Sequence, residues 1–143
     1  MFFKITEKEA LLKKIPIFSA LSSRYLREIG QLMDETLIKP GKTLVKQGRT
    51  GWDFYIIVDG EARVEKNGKA IKLLKAGDFF GEIALIDGGP RMASIISETE
   101  MTLLVVSTRE FMKLVDSIPG FSKAMLIALC RYIREAEQPS VTS

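Results

Sequence analysis

The sequence predicts a mainly β protein with flanking helices at both ends. Between residues 36 and 107, glycines separate short runs rich in β-branched and aromatic residues, a pattern typical of an antiparallel sandwich or barrel. On either side of this region, apolar residues recur at spacings of three and four, as on the buried face of a helix. We expect one domain over 1–143, with N-terminal helices in 1–35, strands in 36–107, C-terminal helices in 108–138 and a polar tail in 139–143.

The N-terminal region is predicted to contain two helices. Thr6 is placed to cap a short first helix, and an apolar turn follows over 17–21. Ser22 or Ser23 is placed to cap a second helix that runs to Met33. The apolar residues that share one face of this second helix are Leu26, Ile29, Leu32 and Met33.

Seven runs have the composition of strands, so we expect seven or eight strands interrupted by one short helix. They cover residues 36–39, 43–46, 54–58, 62–65, 71–74, 93–97 and 102–107. Asn67-Gly68 is a strong signal for a two-residue hairpin turn between two of them.

Two helices are predicted after the strands. The first begins at Thr108 and ends near Ser117, because the residue before Pro119 is disfavoured in the helical conformation. The second covers 120–137 and carries an apolar stripe wider than one packing seam requires. That stripe either lies between the barrel and a partner or remains exposed.

Composition excludes several classes of function. There is no histidine and one cysteine, which removes the common nucleophilic triads and the usual zinc sites. Lysines and arginines are scattered among acids, so the net charge of +3 does not indicate a nucleic-acid surface. We also expect a cytoplasmic protein, because Cys130 has no disulfide partner and the sequence has neither a signal peptide nor an apolar run of about 20 residues.

The most informative stretch is the run Phe80-Gly81-Glu82-Ile83-Ala84-Leu85-Ile86, which continues after a turn as Pro90-Arg91-Met92-Ala93-Ser94. Gly81 permits close backbone approach, and the start of a short helix leaves backbone donors for an anion. Arg91 adds a charged planar fork that fits a phosphate. Glu82 requires a ligand that also donates a hydroxyl, as a ribose 2′-OH does. These residues together indicate a sugar phosphate.

This stretch closely resembles the phosphate-binding cassette of cyclic-nucleotide-binding domains, the family that includes the effector domains of protein kinase A regulatory subunits and of the bacterial catabolite activator. The resemblance extends over about residues 15–133 and includes upstream motifs in register. These are Gly41-x-x-Leu44, Gly48-x-x-Gly51, Phe54-Tyr55-Ile56-Ile57-x-x-Gly60 and Gly77-Asp78-x-Phe80.

The resemblance implies an eight-stranded antiparallel β-roll, jelly-roll-like, with a short phosphate-binding helix and C-terminal helices that close as a lid. It implies that Glu82 accepts the ribose 2′-OH and that Arg91 pairs with the cyclic phosphate. The backbone amides of Gly81, Ile83, Ala84 and Ala93 would add donors, with Phe80 and Met92 in the same cassette. Residues 132–137 are the expected lid.

Two residues depart from the family pattern. Trp52 stands where an acidic residue is common, although Asp53 follows and is a candidate for the local turn role. Met92 stands where Ala, Ser or Thr is frequent. Because Met92 lacks the threonine hydroxyl with which cGMP-selective members contact guanine, we expect cAMP as ligand, with cGMP possible.

The resulting expectation is a stand-alone, non-enzymatic cAMP sensor whose ligand binding moves its C-terminal helices. We expect a homodimer through the C-terminal helix and an unidentified downstream protein, with no direct DNA binding and no membrane association. Two alternatives stay open. One is a homodimeric interaction module of the same fold with an altered or lost ligand, and the other is the effector domain of a regulator without its DNA-binding part.

Overall fold

The computed structural model describes residues 4–81 and 87–137, which form three helices, eight strands and two further helices in that order. The helices are α1 (Ile5–Leu12), α2 (Pro16–Ser19), α3 (Ser23–Leu32), α4 (Thr108–Ser117) and α5 (Phe121–Glu137). The strands are β1 (Asp34–Ile38), β2 (Thr43–Val45), β3 (Asp53–Asp59), β4 (Ala62–Lys66), β5 (Lys69–Leu74), β6 (Phe79–Phe80), β7 (Ser94–Ser97) and β8 (Met101–Ser107). The predicted short helix after Gly81 lies outside the described residues.

Two four-stranded antiparallel sheets make up the β region, in the orders β1-β8-β3-β6 and β2-β7-β4-β5. Side chains from both sheets meet in one buried cluster, which includes Val45, Ile57, Phe80 and Leu103. The predicted fold class, a mainly β roll with eight strands and flanking helices, is confirmed. Strand β6 has two residues, too few to show a period, and sequence patterning did not predict it.

The Asn67-Gly68 turn is confirmed as the link between β4 and β5. Both residues have positive φ, 53° and 80°, as the central residues of a two-residue hairpin turn require.

Helices from both ends of the chain share a second buried cluster. Phe18 from α2 packs against Phe54 of β3 and Phe121 of α5, with ring centroids 5.9 and 5.6 Å apart. The predicted face of α3 is also buried there, as Leu26 and Ile29 are fully enclosed. These contacts fix both sets of helices to one face of the strands.

Three details at the N-terminal helices differ from prediction. Thr6 does not cap α1, because that helix begins at Ile5, and its N-cap residue is Lys4. The expected turn over 17–21 is instead largely the helical turn α2, which begins at Pro16, whose fixed φ suits the first helical position. Ser22 does stand at the N-cap of α3, but its side chain makes no capping hydrogen bond.

Lys8 joins α1 to the end of α3. Its Nζ donates to the carbonyl oxygens of Gly30 at 3.2 Å and Met33 at 3.0 Å, in the last turn and at the C-cap of α3. The Gly30 oxygen also accepts the Met33 N–H, so Lys8 is its second donor. Gly30 has no Cβ at this crossing, and one built there would lie 3.2 Å from the Lys8 Cβ. The two helices therefore cross closely at Gly30, where an added Cβ would press on the Lys8 side chain.

Helix α4 has the predicted extent, whereas α5 begins at Phe121, one residue later than predicted, because Gly120 has a φ of 80°. Helix α4 begins after Ser107, whose hydroxyl accepts a hydrogen bond from the Glu110 N–H at 3.3 Å. In α5, Phe121 is buried, whereas Leu126 and Ile133 are 62% and 58% exposed, so part of the apolar stripe faces outward. Cys130 is exposed and is not a core residue. No helix among the described residues is long and apolar enough to cross a membrane.

Candidate functional site

A pocket of about 390 Å³, here called the Arg91 pocket, lies where β2, β6 and the start of β7 meet. Its described lining residues are Val45, Phe80, Gly81, Asp87, Gly89, Pro90, Arg91, Met92, Ala93 and Ile95. All five of the predicted site residues that the structure describes are therefore on its wall. Glu82, Ile83 and Ala84 lie outside the described residues. The volume is within the range typical of small-molecule sites.

The Arg91 side chain is almost completely enclosed, with 7% of its surface exposed. Its Nη2 donates to the backbone carbonyl of Asp53 at 2.8 Å. Its Nε and Nη1 are buried and have no hydrogen-bond partner within the described part of the chain. No carboxylate among the described residues forms a salt bridge with it. A buried cation with unsatisfied donors is costly in free energy, so this group favours an anion as partner.

Two glycines make the slot in which the guanidinium lies. A Cβ built on Gly51 would overlap the Nε, Cζ and Nη2 atoms of Arg91. A Cβ built on Gly81, whose φ is +95°, would lie 2.5 Å from Nη1 and 2.6 Å from the Asp53 carbonyl oxygen. Gly81 is thus required by both backbone conformation and space, whereas Gly51 is required by space.

The backbone of Arg91 is held by the segment that precedes Gly51. The Arg91 N–H donates to the Arg49 carbonyl at 2.9 Å, and the Gly48 N–H donates to the Arg91 carbonyl at 2.8 Å. Thr50 and Pro90 add an isolated β-bridge. The two segments therefore pair like short strands, and the position of the arginine depends on residues about 40 positions earlier in the chain.

Tyr55 and Phe80 form a stacked pair on the inner side of the site, with centroids 4.7 Å apart and planes 16° from parallel. The Tyr55 hydroxyl lies 3.4 Å from the Asp53 Oδ2. Burial raises the pKa of the Tyr55 phenol, and the negative charge of Asp53 raises it further. The Tyr55 phenol is therefore neutral at physiological pH, and of the two stacked rings Phe80 lines the Arg91 pocket.

Trp52 and Asp53 differ from the expectation for this segment. Asp53 is the first residue of β3, so its predicted turn role is wrong. Trp52 is 62% exposed, and its carbonyl accepts hydrogen bonds from both the N–H and the hydroxyl of Thr108, at 2.6 and 2.7 Å. A second pocket of about 680 Å³ opens beside this segment and includes Lys46, Arg49 and Arg91 in its lining. Arg91 thus lies between two concave surfaces.

Sequence reasoning missed Gly51, the Asp53 carbonyl, Val45 and Ile95 as parts of the site. Gly51 was visible as a glycine in a repeated motif, but nothing in the linear sequence showed that it faces an arginine 40 residues later. The Asp53 contact uses a backbone atom, which carries no sequence signal.

Comparison with known proteins agrees with this geometry. The model of the cyclic nucleotide-binding domain family matches residues 35–117, more than half of the chain. The chain therefore belongs to the cyclic nucleotide-binding domain family.

Its relatives include eukaryotic and bacterial regulatory proteins. It is 36% identical over 112 residues to a cAMP-dependent protein kinase regulatory subunit from Pyricularia oryzae, an alignment that covers 77% of this chain and 29% of that protein. The fold matches the N-terminal domain of a transcriptional regulator from Streptomyces coelicolor, with a TM-score of 0.78 and 25% identity, over 90% of this chain and 96% of that one. It also matches the catabolite activator protein of Thermus thermophilus, with a TM-score of 0.77 and 26% identity, over 86% of this chain and 60% of that one. The chain spans less than a third of the length of the kinase regulatory subunit.

Proposed function

We propose that this chain binds cAMP in the Arg91 pocket and couples that binding to movement of its C-terminal helices. The observation that carries the proposal is the Arg91 guanidinium, which is buried, lacks a carboxylate partner and has two donors without acceptors in the described part of the chain. A cyclic phosphate supplies both the negative charge and the acceptor oxygens. Membership of the family and the name of the kinase relative support cAMP as the ligand.

The other ligand contacts in this proposal are those that the resemblance to the phosphate-binding cassette implies. Glu82 accepts the ribose 2′-OH, and the amides of Gly81, Ile83, Ala84 and Ala93 donate to the ligand. Phe80 completes the apolar wall. Met92 is an exposed residue of the pocket rim and offers no hydroxyl to a guanine amino group, which favours cAMP over cGMP.

Ligand binding must be coupled to a structural change. Both unsatisfied nitrogens of Arg91 are sealed from solvent, with Gly51 and Gly81 against the guanidinium. An anion reaches them only if a neighbouring segment shifts. The free energy that drives this shift is limited by the difference in ligand affinity between the closed and shifted states.

The C-terminal helices are the output of this shift. Phe111 of α4 and Phe121 of α5 are in edge contact, with centroids 5.7 Å apart, so the two helices respond together. Residues 132–137 form the lid over the base. The exposed apolar positions on α5, which include Leu126 and Ile133, form a homodimer contact. In this proposal the domain binds its ligand without catalysing a reaction.

A second role for the same module is the effector domain of a transcription regulator. The match to nearly the whole N-terminal domain of the Streptomyces regulator favours it. Both roles require the same ligand site, and they differ in the partner that reads the helix movement.

Calorimetric titration with cAMP, cGMP and a cyclic dinucleotide tests the ligand. We expect tightest binding to cAMP, and a loss of about 30-fold or more in Arg91→Ala, because removing one side of a buried charged contact costs about 2–5 kcal/mol. Glu82→Gln should also weaken binding, whereas Arg24→Ala, a change at an exposed arginine on α3, should not. Equal cAMP affinity in the parent and Arg91→Ala would contradict the site, and no binding of any cyclic nucleotide by the parent would contradict the function.

A further inference from the structure

We propose that Thr108, the first residue of α4, is a positioning residue for Arg91. In this proposal it fixes the segment 51–53 around the guanidinium and carries ligand-induced movement of that segment to α4. The positioning half depends on the geometry of this structure, and the coupling half rests on the proposed cAMP function.

Thr108 is joined to the Arg91 site through a single carbonyl. The Trp52 oxygen accepts from the Thr108 N–H at 2.6 Å and from the Thr108 hydroxyl at 2.7 Å. A carbonyl oxygen has two lone pairs, so one residue of α4 occupies both acceptor positions of this peptide group. The orientation of the Trp52 carbonyl is therefore set by the start of α4.

The residues on either side of Trp52 touch the guanidinium directly. Gly51 lies so close to Arg91 that a Cβ on it would overlap three guanidinium atoms. The Asp53 carbonyl accepts the one hydrogen bond that Arg91 makes through its side chain among the described residues, at 2.8 Å. Because these are consecutive residues, rotation of the Trp52 peptide changes both contacts at once.

Helix α4 is tied to the same strand end by two further contacts. Asp53 is paired with Ser107, the N-cap residue of α4, in the β3–β8 ladder. Phe111, one turn further along, packs on Phe54 with centroids 6.4 Å apart. Movement of the start of β3 therefore displaces α4 as well.

The hydroxyl of Thr108 can be tested apart from its backbone N–H. Thr108→Val and Thr108→Ala remove the hydroxyl, and Thr108→Ser retains it. Ser117→Ala is the matched control, because that hydroxyl donates within α4, to the Lys113 carbonyl at 2.6 Å, at the far end of the helix.

Three measurements are compared across these variants. The first is the NMR signal of the Arg91 Nε–H in the ligand-free protein. The second is cAMP affinity by calorimetry. The third is the change in amide hydrogen exchange of α4 on addition of cAMP.

In Thr108→Val and Thr108→Ala we expect a shifted Arg91 signal, cAMP affinity lower by about threefold to tenfold, and a smaller exchange response in α4. Thr108→Ser should restore all three measurements, and Ser117→Ala should leave them at parent values. The Arg91 signal is read in the folded protein, so a loss of stability alone leaves it in place, and rescue by serine shows that the change depends on the hydroxyl.

An Arg91 signal unchanged in both hydroxyl-deletion variants would overturn the proposal, as would failure of Thr108→Ser to restore it. If the parent binds no cyclic nucleotide, the proposed function fails while the ligand-free signal still decides the positioning role. If the parent binds cAMP and α4 responds equally in all variants, the coupling half of the inference is wrong and the proposed function stands.

Discussion

Gly51→Ala separates ligand binding from stability. Gly51 is not among the glycines with positive φ, so alanine can adopt its backbone conformation, and the added methyl group acts by volume alone. That methyl group would occupy the space of the Arg91 guanidinium. We therefore expect the arginine to leave its slot while the fold is retained.

The fold should not be strongly destabilised, because two effects oppose each other. Leaving the slot breaks the Arg91 hydrogen bond to the Asp53 carbonyl, worth about 1.5–3 kcal/mol for a charged donor. It also returns two unsatisfied nitrogens to water, which relieves about 1–3 kcal/mol each. Together these terms leave the variant between about 1 kcal/mol less stable and about 4.5 kcal/mol more stable than the parent.

The cAMP affinity, in contrast, should fall strongly. Without the guanidinium in place, the phosphate loses a charged contact worth about 2–5 kcal/mol, or about 30-fold or more in the dissociation constant. Urea denaturation and calorimetric titration measure the two quantities. Gly41→Ala is the control, because Gly41 has φ of +80° and open space around it, so alanine costs stability through backbone strain and leaves the pocket intact. If Gly51→Ala binds cAMP within about threefold of the parent, the slot does not position the phosphate ligand.

Three further outcomes are expected. Met92→Thr should narrow the preference for cAMP over cGMP by about threefold to tenfold, the value of one added hydrogen bond, in competition titrations, and an unchanged ratio would remove Met92 from selectivity. Lys8→Met should lower the free energy of unfolding by about 1–3 kcal/mol in urea denaturation, because it removes the hydrogen bonds to the end of α3. Lys13→Met, at an exposed lysine, should leave it unchanged, and equal effects of the two variants would contradict the capping contact. Because burial raises the pKa of Tyr55, the folded protein keeps the phenol proton at pH values where the unfolded chain has lost it. The melting temperature should therefore fall above about pH 10, and it should fall less in Tyr55→Phe.

The strand region was largely predictable because the residues that end each strand can be recognised from the local sequence. Glycines and the Asn67-Gly68 turn define where each strand ends, and seven runs were long enough to show β composition. The two-residue strand β6 was missed, since its pairing with β3 depends on residues 25 positions away. The cap at Thr6 was predicted from residue type, but α1 begins before it. The first residue of a helix depends on how the helix packs, which residue type alone does not show.

The residues that line the Arg91 pocket could be predicted only where they belong to one sequence motif. Phe80, Gly81, Arg91, Met92 and Ala93 share one motif, and the structure places them on one pocket. The partners of Arg91 come from segment 48–53 and act through main-chain atoms or through the absence of a side chain. Neither property has a signature in a single sequence.

Position 52, where the family resemblance led us to expect an acid, is a tryptophan, and the Arg91 guanidinium donates to the backbone carbonyl of Asp53. A carbonyl accepts a hydrogen bond but carries no charge, and no carboxylate among the described residues compensates the charge of Arg91. Each of its two unsatisfied nitrogens costs about 1–3 kcal/mol in the ligand-free protein. Moving a two-state equilibrium from 1% to 99% requires about 5.5 kcal/mol. The cost at Arg91 is therefore between about a third and all of that requirement. A phosphate that satisfies both nitrogens would relieve this cost, and the relief would move α4 and α5 only as far as the ligand binds the shifted state more tightly.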